Sequence, residues 1–106
     1  MRAQRLEKLL EMHAENPAES FVLYALGMEY LGVNQLDEAA LFFERCIVAD
    51  PQNISTYYQL GLLNYRIGQE AKALVYLERG ISLIDPIKEN KTYLEFKSLM
   101  EEISFE

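Results

Sequence analysis

The amino-acid sequence points to an all-α protein built from helix–turn–helix repeats, with a further helix on each flank. Displacing the chain on itself by 34 residues aligns Ser20–Asp50 with Ile54–Ile84, and eight of the 31 pairs are identical. They are Tyr24/Tyr58, Leu26/Leu60, Gly27/Gly61, Gln35/Gln69, Ala39/Ala73, Glu44/Glu78, Arg45/Arg79 and Ile47/Ile81. Chance gives about two identities at ordinary residue frequencies, so the chain repeats itself. The prolines carry the same period from other residues: Pro17, Pro51 and Pro86 lie 34 and 35 apart, each preceded by Asn or Asp. No stretch alternates at period two for long enough to make a strand.

Each element follows from this frame. Residues 2–15 are amphipathic, with Leu6, Leu9, Leu10 and Met12. Their register puts Pro17 where Pro51 sits, which suits the second helix of a partial repeat. Arg5, however, occupies the slot of Ala39 and Ala73, which suits a terminal cover. In the first repeat, residues 20–53, Leu23, Leu26, Gly27 and Tyr30 share one helical face, and Ala39, Phe43, Cys46 and Ile47 share the next. In the second, residues 54–86, Tyr57, Leu60 and Gly61 are followed by Ala73, Leu77, Gly80 and Ile81. The breaks within the pairs carry Asn34 and Gly68, the residue types that best tolerate a left-handed helix end. Each Asx-Pro step is expected to stop one helix and cap the next, with Asn16 and Glu19 forming a capping box. Residues 87–105 carry Tyr93, Leu94, Phe96, Leu99, Met100 and Ile103 at helical spacing and are expected to cap the second repeat. The whole of 1–106 is read as a single domain.

The 34-residue period, the paired helices and the closing Asp-Pro resemble a tetratricopeptide repeat. That family's pattern is a large residue, Leu-Gly, Tyr, Ala, an aromatic, a small residue and Pro. The first repeat matches it with Leu23, Leu26-Gly27, Tyr30, Ala39, Phe43, Cys46 and Pro51. The second has Tyr57, Leu60-Gly61, Ala73, Leu77 and Gly80, departs at Asn64 where Tyr is expected, and carries one extra residue before Pro86. Mid-helix Gly27 and Gly61 imply close helix contact, because glycine there costs about 0.5–1 kcal/mol relative to alanine. The resemblance implies a short right-handed α-solenoid with terminal capping helices.

It also implies a function. In such repeats the first helices line a concave groove that binds a protein or peptide partner. Carried onto this sequence, the groove positions are Phe21, Tyr24, Met28 and Leu31, then Tyr58, Leu62, Tyr65 and Arg66. This set is rich in Tyr and Met, side chains suited to anchoring and to irregular partners. The alternative is that these aromatics are covered by the protein's own terminal helices. Relatives that grip the carboxylate end of chaperone tails use Lys and Asn there. Here Tyr24, Met28 and Gln59 stand at those positions with Arg66 the one base, so an apolar or amphipathic ligand is expected. A rival reading has the groove or the stack end pair with a second copy as a homodimer.

Composition removes several other classes. Seventeen acidic against ten basic residues leave a formal charge of −7, which repels phosphate backbones, and no nucleic-acid partner is expected. No apolar run approaches the roughly 20 residues of a bilayer crossing, so no membrane partner is expected. The first ten residues alternate charge and leucine without the apolar core of a secretory signal, and a cytoplasmic location is expected. Asn53-Ile54-Ser55 and Asn90-Lys91-Thr92 are then chance glycosylation triplets. The single cysteine, Cys46, excludes an internal disulfide and a multi-cysteine metal site, and is expected to be core. The single histidine, His13, is expected on a helix surface. With no nucleophile–base pair, phosphate loop or metal spacing, the chain is expected to be no enzyme and to hold no cofactor or metal. Asp37-Glu38 and Glu101-Glu102 are read as solvated faces.

Overall fold

Asn34 at φ 61° and Gly68 at φ 81° stand in the left-handed region and end the first helix of each pair. The computed structural model describes residues 2–105, with the backbone alone at Arg2. Among them six helices and no strands occur: α1 Arg2–Glu15, α2 Ser20–Gly32, α3 Leu36–Ala49, α4 Ile54–Arg66, α5 Glu70–Ile81 and α6 Asn90–Ser104. The turns after α2 and α4 repeat the same bonds. Asn34 N–H donates to Leu31 O at 3.0 Å and Gln35 N–H to Tyr30 O at 2.9 Å. Gly68 N–H donates to Tyr65 O at 3.1 Å and Gln69 N–H to Asn64 O at 2.8 Å. This is a Schellman closure, and the expected helix ends are present.

The Asx-Pro steps behave differently from the expectation. Pro17 and Pro51 lie in the turns, and α2 and α4 begin three residues later, at Ser20 and Ile54. Asn53, not Asp50, caps α4, its Oδ1 accepting Thr56 N–H at 3.2 Å. Glu19 flanks α2 without a side-chain cap bond, so the Asn16–Glu19 capping box does not form. Asp85 Oδ1 accepts the amides of Ile87 at 2.9 Å and Lys88 at 3.3 Å, which caps a turn over 86–89 rather than α6. The physical reason is that the chain must reverse between helices. Proline's fixed φ, and the extended conformation it imposes on its predecessor, serve that reversal.

Contacts divide the chain into two compact units, Met1–Pro51 and Gln52–Glu106. In the first, α1 and α3 both pack on α2 around Leu9, Val22, Leu23, Leu26, Phe42 and Cys46. Cys46 is buried as expected, its S–H directed at Ser20 O at 3.5 Å. A Cβ added at Gly27 would stand 2.4 Å from the Phe43 ring, so the glycine admits the aromatic. Arg5 reaches from α1 to α2, its Nε donating to Glu29 Oε1 at 3.0 Å. Its side chain is 63% exposed against 11% for Glu29, which explains how a long residue sits where repeats place alanine. His13 is half-buried rather than fully on the surface: its ring meets Phe42 edge-on at 5.5 Å, and its buried Nδ1 has no hydrogen-bond partner among the described residues.

In the second unit α4 and α5 pair, and α6 packs on both. A Cβ at Gly61 would stand 2.4 Å from Leu77; one at Gly80 would meet Phe96 at 2.6 Å and the Cβ of Tyr57 at 2.7 Å. Asn64 is buried where tyrosine was expected, and its Nδ2 donates to Leu60 O at 2.7 Å. That bond satisfies one amide donor within its own helix. The repeated arginines also have one job. Arg45 lies 5.4 Å over the Phe42 ring and Arg79 5.3 Å over that of Tyr57, cation–π contacts that hold each charge on its own unit.

Candidate functional site

The α2 residues Phe21, Tyr24, Met28 and Leu31 recur at three- and four-residue steps, so they form one stripe of the helix. Helix α2 is apolar on every side, its sole charge being Glu29, which Arg5 engages. With α1 and α3 covering two sides, the stripe lies on what remains. Phe21 is 67% exposed, whereas Tyr24, Met28 and Leu31 are half-buried. Tyr24 is partly spent inside its own unit, its ring 5.7 Å from Phe43.

The α4 residues Tyr58, Leu62, Tyr65 and Arg66 form the matching stripe of the second unit. Tyr58, Leu62 and Tyr65 are half-buried and Arg66 is exposed. The covering alternative holds in part at Tyr58, whose ring stands edge-on to Phe96 of α6 at 5.2 Å. Its remaining surface, with Leu62, opens into a cleft of about 480 Å³ between α4 and α6. The α6 side of that cleft presents Lys91, Leu94, Glu95, Ser98, Leu99 and Glu102. Burial, then the charges of Glu95 and Glu102, push the Tyr58 hydroxyl above its ordinary pKa of 10.0.

Sequence reasoning missed the α6 wall. It read that helix as a cap, and α6 does pack on α4 and α5. It read Glu102 as solvated, and Glu102 is exposed, but neither reading placed the two on a cleft wall. The available signal was the recurrence of Lys91, Glu95, Ser98 and Glu102 at three- and four-residue steps, a polar stripe beside apolar Leu94 and Leu99. A second, mainly apolar cleft of about 380 Å³ lies in the first unit, where Pro17, Leu23, Leu41 and Val48 meet. Among the described residues no three His, Cys, Asp or Glu side chains gather as metal ligands. No described helix is long and apolar enough to cross a membrane.

With the repeat geometry in place, comparison with known families is decisive: the tetratricopeptide repeat matches at residues 22–53 and 54–85, more than half of the chain. The chain belongs to the tetratricopeptide repeat family. Among solved structures, this tetratricopeptide protein is similar to SycD, the type III secretion translocator chaperone of Yersinia enterocolitica. The TM-score is 0.91 at 16% identity, over 98% of this chain and 72% of that one. It is also similar to MamA, with TM-scores of 0.76 and 0.75 at 23% identity in two structures. Those alignments cover 98% and 97% of this chain but 59% and 63% of the MamA chains. At such identities the likeness is one of fold. Curated proteins give no match.

Proposed function

We propose that this chain is a non-catalytic protein-interaction module, an adapter or scaffold that binds an apolar or amphipathic segment of a partner through the α2 and α4 stripes. The observation that carries this reading is α2 itself. A helix apolar all round is stable when covered all round, yet Phe21 remains 67% exposed beside half-buried Tyr24, Met28 and Leu31. Interaction is the common use of tetratricopeptide repeats, and a translocator chaperone stands among the structures of like fold. Absence of the basic groove residues of carboxylate-gripping relatives favours an apolar ligand over an acidic tail. A cytoplasmic setting belongs to this reading. Self-association is the second reading, favoured by Val48, 83% exposed at the rim of the apolar cleft of the first unit.

Photocrosslinking in the native cell tests the proposal. A benzoylphenylalanine in place of Phe21 is expected to trap one polypeptide, and the same group at exposed Val75 of α5 is not. Tyr24→Ala with Tyr58→Ala is expected to abolish that capture with helicity nearly intact by circular dichroism. Loss of helicity instead of capture would return both tyrosines to the core and remove them from the site.

A further inference from the structure

The cleft between α4 and α6 has an apolar floor and an acidic wall. Tyr58 and Leu62 come from α4, and Leu94 and Leu99 line it from α6. Glu95 and Glu102 stand on the same wall, exposed, with Lys91 the cleft's one base. Both carboxylates act on the Tyr58 hydroxyl, so their charge reaches across the opening to the α4 side. They stand seven positions apart on the helix, which sets their Cα atoms about 10 Å apart.

We propose that this cleft receives a cationic, apolar segment of a partner protein, with an apolar side chain on Tyr58, Leu62 and Leu99 and a lysine or arginine at Glu95 and Glu102. The proposal rests on the interaction reading above and names the partner's chemistry at one of its two stripes. Charge complementarity selects this occupant. Two carboxylates against one ammonium leave the cleft negative, on a chain whose net charge is −7. An acidic segment is repelled at close range and over the roughly 8 Å of a physiological Debye length. A second copy brings another −7 against the same face. A partner carrying basic residues about 10 Å apart, as side chains seven apart on a helix are, meets both carboxylates while its apolar residues cover the floor.

The test selects a random 12-residue phage-displayed peptide library on the full chain. Affinities of the selected peptides are then measured by fluorescence anisotropy. Selected peptides are expected to combine Lys or Arg with apolar residues and to bind at least ten-fold more weakly to E95K/E102K. They should bind V75S, altered at an exposed α5 residue outside both stripes, within two-fold of the unaltered chain. E95Q/E102Q, which keeps side-chain size, is expected to weaken binding several-fold and to flatten its salt dependence. Acidic or neutral selected peptides, or affinities indifferent to both double substitutions, overturn the proposal. Peptides lost on F21S but not on E95K/E102K overturn it while leaving the interaction reading intact at α2. No enrichment over bare support removes both readings. A dimer of the unaltered chain that E95K/E102K dissolves makes a second copy the occupant and overturns the proposal as well.

Discussion

At Gly80 an added methyl group has nowhere to go. It would stand 2.7 Å from the Cβ of Tyr57, an atom that cannot retreat without moving the α4 backbone, and 2.6 Å from the Phe96 ring. Overpacking of this kind costs about 1–3 kcal/mol. Gly80→Ala is therefore expected to lower the thermal midpoint by several degrees, although alanine is the better helix former. Gly68 is the opposite case. Nothing lies within 4 Å of its added Cβ, so the space is open and the φ of 81° alone resists a side chain. Gly68→Val is expected to destabilise by about 1–2 kcal/mol, and Gly68→Asn by clearly less, because Asn34 already holds the equivalent turn at φ 61°. Chemical denaturation of the three variants checks both statements. An unchanged midpoint for Gly80→Ala would mean that α6 does not press on α5 there. Both sites were visible as glycines in the sequence, but that Phe96 closes on Gly80 was not, since that depends on where α6 lands.

Among the elements, α6 carries the clearest stability prediction. It buries Phe96, Leu99 and Ile103 and half-buries Tyr93 and Met100. Three fully buried apolar side chains contribute about 1.5–3 kcal/mol each before ordering costs, against about 5–15 kcal/mol for a whole domain. Truncation after Asp85 uncovers Gly80 and the Tyr58 face in one step. The truncated chain is expected to aggregate, or to lose its cooperative melt by circular dichroism. A soluble, cooperatively melting truncation that binds apolar peptides better than the full chain would make α6 a displaceable latch. The helix was legible in sequence from its apolar spacing. Its start was not: the Asp85-Pro86 step looked like a cap, yet Asp85 spends its carboxylate on the 86–89 turn and α6 begins at Asn90.

Charge is the property that acts at the scale of the whole molecule. A net −7 opposes self-association at low salt and favours basic partners. Sedimentation at physiological salt is accordingly expected to give the mass of one chain from micromolar to about a hundred micromolar. A stable dimer there would bring the exposed Val48 rim forward as a self-assembly face and favour the rival function. Charge count was available from the first line of sequence. The placement of Glu95 and Glu102 beside Tyr58 was not, because sequence numbers carry no information on which helices share a cleft.

Local rules determined the helices and the left-handed ends of α2 and α4. The 34-residue repeat, the apolar spacing and the left-handed residues at 34 and 68 depend on backbone and neighbour chemistry within a few residues, and the chain obeys them wherever it folds. The Schellman closures, the buried Cys46 and the small residues at 27, 61 and 80 all followed. Packing decided everything that needs two distant segments at once. It half-buried His13 and set its ring edge-on to Phe42. It gave Arg5 a partner in Glu29 across 24 residues. It buried Asn64 where tyrosine was expected, and it set an acidic wall opposite half of the α4 stripe. Long-range contacts are chosen by shape, burial and charge among helices already formed, and a one-dimensional pattern records those choices only where a residue is too large or too small for its slot.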